Sequence, residues 1–243
     1  MDDLKQMLRA QGASLVGFAA LDGLYEPCDL TQPRTVDSQT KPFDIPRYPT
    51  GIAIAVAIAR DTVRALTEQP TMAYYDAYHT LNDRLDALAE CCANALVQAG
   101  YHAYAQTTKN TKEYGIFRTI LPHKTVAVHA GLGWIGKSAL LVTPEYGGAV
   151  RLTSVLTDAP LAPDTPSVQS RCGDCLVCHH ACPADAIRGT LPQAGASRET
   201  FFDAMACRIQ ARKIAAQTLQ KEITLCGKCI AVCPYTRRYL DQT

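Results

Sequence analysis

Cysteine spacing is the densest chemical signal in this sequence. Eleven cysteines are present, and eight of them fall after residue 171. Cys172, Cys175, Cys178 and Cys182 form a C-x2-C-x2-C-x3-C run that ends in Pro183. Three thiolates two residues apart can wrap one iron–sulfur cubane, and a fourth placed before proline points away to a second cubane. Cys226, Cys229 and Cys233, followed by Pro234, repeat the last three cysteines of that run. The missing member has a candidate upstream in Cys207, which neither motif uses. The count then closes on two [4Fe–4S] clusters. Cys172, Cys175, Cys178 and Cys233 serve one, and Cys182, Cys207, Cys226 and Cys229 serve the other.

Zinc and disulfides are the alternatives. Structural zinc prefers two C-x2-C pairs with a longer spacer, which fits three cysteines in seven residues poorly. Disulfides are disfavoured in a reducing compartment. The opening MDDLKQML carries two acids and no apolar segment, so no signal peptide is expected and the expected location is the cytoplasm. The longest apolar run, Ile52 to Ala59, is far short of the ~20 residues of a bilayer span. No membrane association is expected.

Charge divides as the cysteines do. From residue 166 onward there are ten Lys and Arg against six Asp and Glu, a net +4, whereas the preceding residues carry −3. A basic tail invites a nucleic-acid reading. However, each oxidised cubane with four thiolates carries about −2, and two of them offset the excess. The composition, 47% hydrophobic and 19% charged, excludes a disordered chain, a collagen and a coiled coil.

The elements that must position these groups follow from periodicity. Residues 4–11 read as a short helix ended by Gly12, and Ser14 to Leu21 as a strand. Residues 22–50 are rich in proline and polar groups and read as a loop. Gly51 to Ala59 suits a strand buried on both faces. Tyr74 to Ala99 is the strongest helix, with Leu81, Leu85, Leu88, Cys92 and Leu96 at steps of three and four and Gly100 as its C-terminal stop. Tyr101 to Gln106 and Val150 to Leu156 read as strands. Ala105 to Lys124 reads as a long loop with a task. A proline-rich stretch from Ala159 to Ser170 marks the boundary between domains at 1–164 and 165–243. In the tail, Arg198 to Gln220 reads as a helix with Ser197 as its N-cap. Cys92 is expected in the core, and Cys28 and Cys91 as inert thiols. His179 and His180 are expected as loop residues.

One further segment is glycine-rich: AGLGWIGK, Ala130 to Lys137, followed by LLVTPEYG. Gly131, Gly133 and Gly136 formally make G-x-G-x-x-G, but no strand precedes them and no acidic ribose ligand follows, so dinucleotide binding is rejected. The glycines mean that backbone approaches something closely, either a ligand or another segment. AGLGWIGK, LLVTPEYG, Leu156-Thr157-Asp158 and the double cysteine pattern together resemble the epoxyqueuosine reductase family. The likeness is strong from Ala130 to Tyr235 and fainter upstream, at Tyr78-His79 and Arg84-Leu85.

That family is similar to the reductive dehalogenases. The resemblance implies an α+β chain, with a nitroreductase-like, cobalamin-binding α/β domain followed by a small two-cluster ferredoxin-like domain. It also implies a corrinoid pocket lined by Gly131, Gly133, Trp134, Ile135, Gly136, Lys137, Ser138, Tyr146 and Gly147. Two departures stand out. The family's tRNA-acting members carry an Asp-Thr-x-Pro segment, whereas Phe117 to Lys124 here contains no Asp. Those members also continue past the second cysteine motif, whereas this sequence ends ten residues after Cys233 and reads as a short relative. tRNA is therefore not the expected substrate.

The expected chemistry is low-potential electron transfer through two clusters to cobalamin, with reduction of a small molecule. Tyr75, Tyr78 and His79 are the leading proton-donor candidates, with Tyr114 and His123 behind them. Arg118 and Lys124 are candidates for binding an anion. Two other readings stand beside this one: an electron carrier or reductive activator for a partner corrinoid protein, and an iron–sulfur protein with a flavin or only a protein partner. A ferredoxin or flavodoxin is the expected electron donor.

Overall fold

The computed structural model of the chain describes residues 2–25, 45–66, 68–111, 113, 117–193 and 195–242. Cys28, Tyr114 and most of the 22–50 loop lie outside them. In chain order the elements are α1 (Asp2–Ala10), β1 (Leu15–Ala20), β2 (Thr50–Ala57), α2 (Arg60–Arg64), α3 (Met72–Gln98) and β3 (Ala103–Gln106). There follow α4 (His123–His129), β4 (Trp134–Ile135), β5 (Leu141–Val142) and β6 (Val150–Thr157). The tail adds α5 (Val177–His180), α6 (Ala204–Thr218), α7 (Lys228–Ala231) and α8 (Pro234–Asp241). These elements fall into two compact units. The first takes Met1–Val56, Asn82–Leu132 and Leu152–Pro166, and the second takes Ala57–Leu81, Gly133–Arg151 and Ser167–Thr243. The second unit thus gathers two upstream segments as well as the cysteine-rich tail.

The first unit is built on a four-stranded sheet in the order β1-β2-β6-β3. β1 runs antiparallel to β2, with Leu15 opposite Ala55 and Ala20 opposite Thr50. β3 runs antiparallel to β6, with Ala103 opposite Thr157. β2 is buried from Thr50 to Val56, as its continuous apolar run requires of a strand covered on both faces. α1 and α4 both pack on β1. α3 places Leu85, Leu88, Cys92 and Leu96 in the core, the stripe expected from its periodicity. It ends in a Schellman pair: Tyr101 N–H donates to the Leu96 carbonyl at 3.0 Å and Gly100 N–H to that of Val97 at 3.0 Å. Within the proline-rich stretch, Asp164 is fixed to this unit. Its carboxylate accepts from Lys5 Nζ at 2.7 Å and from the Phe18 N–H at 2.7 Å.

The second unit has its own core. Ile58, Val63, Leu66, Tyr74, Leu225, Ile230, Tyr239 and Leu240 form its centre, with Cys229 and Tyr146 packed against it. The Tyr239 hydroxyl donates to the Ile58 carbonyl at 3.0 Å, and the Arg64 guanidinium donates to the Leu240 carbonyl at 2.5 Å. These bonds tie α2 to α8. The tail helix begins later than its sequence suggests. Ser197 Oγ bonds the Glu199 carboxylate instead of a backbone N–H, and Arg198–Thr200 forms only a 3-10 turn. Ile187 then pairs with Phe202, and Asp203 caps α6 by accepting the Ala206 N–H at 2.9 Å.

The TPEYG turn locks onto α8. Thr143 and Gly147 exchange backbone hydrogen bonds at 2.9 and 3.0 Å, and the Gly148 N–H donates to Thr236 Oγ1 at 3.0 Å. Gly147 has φ +57, and a Cβ there would lie 2.2 Å from the Thr236 backbone nitrogen. Gly23 also has positive φ but faces open space. Gly147→Ala should therefore cost about 3 kcal/mol or more, and Gly23→Ala about 1 kcal/mol. Apparent melting temperatures of the anaerobic, cluster-loaded proteins test this, and equal losses would contradict it.

Candidate functional site

Eight sulfurs converge in the second unit as two groups of four. Burial pushes the Cys178 thiol up to about 11, and Cys172, Cys233 and Cys175 press it further. Burial likewise raises Cys233, against the pull of nearby backbone N–H groups, and Cys172 adds to the rise. These four cysteines are therefore neighbours. Burial pushes Cys207 up to about 11, and here Cys182 and Cys226 are the neighbours that add to it. Cys229 is raised by burial first, then by Cys226, Cys207, Cys178 and Cys182. The second group is thus Cys182, Cys207, Cys226 and Cys229, and Cys178 marks where the two groups adjoin.

Local geometry explains why each motif feeds both groups. The Cys175 N–H donates to the Cys172 carbonyl at 3.1 Å, so the first motif turns back on itself, and α5 then adds one helical turn. Cys182 and Cys233 each precede a proline, which forces extended backbone. Cys233 has φ −62 and ψ 129, leaving the helical path of α7 just before Pro234 opens α8. Its sulfur is thereby carried across to the first group. Among the described residues, no three His, Cys, Asp or Glu groups converge as they would around a single ion. A cubane asks for a wider tetrad, since each thiolate binds a different iron.

The glycine segment makes a hairpin. α4, unforeseen in the sequence, precedes it, so the run does not follow a strand. β4 and β5 pair antiparallel, Trp134 opposite Val142. The Gly136 N–H donates to the Leu140 carbonyl at 2.9 Å and the Ala139 N–H to that of Gly136 at 2.9 Å. Ala139 takes φ +60, a left-handed position usually given to glycine in such turns. Lys137 and Ser138 stand at the tip. A Cβ on Gly133 would lie 2.2 Å from the Val142 carbonyl oxygen, and one on Gly136 2.8 Å from Val142 Cγ2 and 3.6 Å from Cys172 Sγ. The close partner of these glycines is therefore the chain itself, and the hairpin lies against the first cysteine group. Gly131 belongs to the first unit, where a Cβ would meet the Thr165 carbonyl.

Several polar groups along this hairpin are buried. Lys137 is only 4% exposed, and Ser138 is buried with it. Trp134 is fully enclosed, edge-on to Tyr235 with Arg171 over its ring, and its Nε1 has no acceptor among the described residues. Tyr146 turns to α8, its ring 5.1 Å from Tyr239. Ile135 is half-buried.

The three aromatic candidates on α3 cluster in the same unit. The His79 ring is 4.6 Å from that of Tyr75 and 5.2 Å from that of Tyr78. Two cations unmarked by any motif complete the group. Arg151 lies 4.1 Å over Tyr78, and Lys221 lies 5.5 Å over Tyr75. Tyr74, also missed, is buried beside the second cysteine group. A Cβ on Gly227 would lie 3.0 Å from its ring. Burial pushes its phenol up to about 12, with Arg151 opposing and Cys229 and Cys226 adding. Its only sequence signal was its place at the start of the expected helix, beside Tyr75.

Other candidates are engaged elsewhere. His123 sits in the first unit, with Nδ1 2.8 Å from Ser154 Oγ, which also receives the Gln106 amide. Arg118 and Lys124 have interactions of their own. His179 bonds the Ile187 carbonyl, while His180 is exposed. Cys92 is buried, and Cys91 accepts from Gln11.

Residues 171–236 match the family described as "4Fe-4S double cluster binding domain", a span containing all eight cysteines. The chain is 37% identical over 119 residues to an epoxyqueuosine reductase of Listeria monocytogenes, covering 46% of this chain and 29% of that one. It is 34% identical over 122 residues to the tetrachloroethene reductive dehalogenase of Sulfurospirillum multivorans, covering 46% and 23%. The chain spans less than half the length of these curated relatives. In fold it is similar to a catabolic reductive dehalogenase, with TM-score 0.71 at 18% identity over 96% of this chain and 31% of that one. It is also similar to an epoxyqueuosine reductase, with TM-score 0.59 at 21% identity over 97% and 65%. The fold is thus mixed α/β with a ferredoxin-like cluster domain. The cysteine arrangement, the matched domain and both kinds of relative agree: the chain carries a double-cluster iron–sulfur domain and is similar to the epoxyqueuosine reductases and the reductive dehalogenases.

Proposed function

We propose that the chain is an iron–sulfur oxidoreductase that passes low-potential electrons through two [4Fe–4S] clusters to a bound cobalamin, for reduction of a small molecule. The observation that carries this reading is the gathering in one unit of two cysteine tetrads, the buried Lys137 hairpin and the Tyr75–Tyr78–His79 group. Cys172, Cys175, Cys178 and Cys233 would hold one cluster. Cys182, Cys207, Cys226 and Cys229 would hold the other. The donor set fits, since a cubane requires four thiolates and half-burial keeps water from its sulfides.

The hairpin also fits a large polar-rimmed cofactor. An indole N–H with no acceptor among the described residues is costly unless a ligand completes it, and the largely buried Lys137 stands on the same hairpin. Gly133, Trp134, Ile135, Gly136, Lys137, Ser138, Tyr146 and Gly147 would line this side. One protein of similar fold is a reductive dehalogenase whose structure suggests a mechanism for B12-dependent dehalogenation. When bound, cobalamin supplies a cobalt centre that becomes a strong nucleophile on reduction. The chain's own part is to orient the cofactor, exclude water and deliver a proton. Tyr75 and Tyr78 are the donors, steadied by His79 at their edges and by Lys221 and Arg151 over their faces. A positioned acid of this kind contributes about 10²- to 10⁴-fold.

A second reading has one observation in its favour. Gly133, Gly136 and Gly147 each approach the chain itself, so none requires a ligand. On that reading the protein is an electron-transfer protein or a reductive activator of a partner corrinoid protein, without its own substrate. Both readings take electrons from a carrier such as a ferredoxin or flavodoxin, use no tRNA and work in the cytoplasm. No helix among the described residues is long and apolar enough to cross a membrane.

Anaerobic titration of the cluster-loaded protein with hydroxocobalamin separates the two readings. Saturation near one equivalent, with a shift to the base-off spectrum, is expected. Lys137→Met should weaken that binding about tenfold while leaving the fold as stable or slightly more so, because a buried cation is removed. Failure to bind, with both clusters intact, would overturn the cobalamin reading in favour of the carrier.

A further inference from the structure

The charged and apolar surface of α6 is used by nothing described so far. Ala211 and Ala215 bury one side of this helix. At about 100° per residue, Met205, Ile209, Arg212 and Lys213 all lie roughly 140–240° around the helix from Cys207. They therefore share the face opposite the cysteine. Met205 is 39% exposed and Ile209 61%, the latter the most exposed large apolar side chain among the described residues. Single exposed apolar residues are ordinary, but a pair one turn apart and rimmed by cations marks a binding surface. α6 contains Arg208, Arg212 and Lys213 and no carboxylate. The nearest anionic partner of Arg212 is Glu222 at 3.8 Å, almost wholly in solvent.

We infer that this outer face of α6, centred on Met205 and Ile209 and rimmed by Arg212 and Lys213, is the docking surface for an acidic electron-carrier protein. The inference rests on the reading that electrons enter through the clusters, and names where and from what kind of partner. Three features support it. Cations meant only to offset a cluster would face it, whereas Arg212 and Lys213 point away from Cys207. A partner seated on this face is about one helix diameter, ~10 Å, from the second cysteine group. Redox encounters are small and brief, with an apolar centre and a charged rim that steers approach. A rival surface exists at Leu176 and Val177, exposed between Cys175 and Cys178. Its exposed rim is mixed in sign, Arg171 and Arg188 against Asp174 and Asp185, and offers no preference for an acidic partner.

Stopped-flow reduction of the cluster-loaded protein tests this, with an acidic flavodoxin in its hydroquinone state as donor and dithionite as control. The wild-type rate with flavodoxin should fall as ionic strength rises. Ile209→Asp and the double variant Arg212→Glu, Lys213→Glu should each lower it by about tenfold, with the dithionite rate unchanged. Unchanged flavodoxin rates in these variants, or a tenfold loss in Leu176→Asp instead, would overturn the assignment. Self-association of the wild type abolished by Ile209→Asp would overturn it too, in favour of a second copy as occupant. If flavodoxin fails while dithionite reduces both clusters and hydroxocobalamin binds, the docking surface is refuted and the oxidoreductase reading stands. If the clusters accept no electrons from dithionite either, that reading fails as well.

Discussion

Each group of four sulfurs is completed from a distant part of the chain, and the rest of the second unit depends on that crossing. Cys233 joins the first motif across some fifty residues of sequence, and Cys207 reaches the second group from a helix outside either motif. Bringing eight polarizable thiols together is unfavourable without something to bind them, as the upward shifts of Cys178, Cys207, Cys226, Cys229 and Cys233 record. Bound clusters turn that cost into a staple. A tail this short buries too little apolar surface to hold by packing alone, and metal-coupled folding is the usual remedy. α6, α7 and α8 are then placed by their cysteines first and by packing second.

The same constraint explains why the unit recruits upstream segments. α2, the residues just after it and the first turns of α3 supply Val63, Leu66 and Tyr74 to its core, and the segment after the β4–β5 hairpin supplies Ala149, with Tyr146 packed against it. These segments carry the buried lysine, the aromatic group and the glycines. They therefore belong to the same compact unit as the sulfurs, while the four-stranded sheet organises the other unit. Function on this account is concentrated where metal ligation and a small apolar core share the work of folding.

How much was legible follows from the range of each interaction. The two cysteine motifs could be read from the sequence because the spacing within each is local, and the matched double-cluster domain spans both. β2 and α3 were legible for a similar reason, since burial writes an unbroken apolar run or a three-four periodicity into neighbouring residues. The cap of α6 was misread at Ser197. A hydroxyl there has a closer partner in Glu199, and the pairing of Ile187 with Phe202 shifts the helix start to Asp203. α4 was hidden because its seven residues, HKTVAVH, are too few to show a period. The glycines of AGLGWIGK signalled close approach without naming the partner. Only three-dimensional placement reveals that the partner of Gly133 is Val142, and that of Gly147 is Thr236. Arg151 and Lys221 had no signal, since a cation over a ring leaves no mark on spacing.

A second cluster requires Cys207 as its fourth ligand. Iron and acid-labile sulfide analysis, with electron paramagnetic resonance of the dithionite-reduced protein, tests this directly in wild type and Cys207→Ala. Wild type should hold about eight irons, with the broadened signal of two interacting [4Fe–4S]⁺ centres. Cys207→Ala should lose up to about four irons and the interaction, leaving the first centre intact. Two unaltered [4Fe–4S] centres in Cys207→Ala would contradict the account.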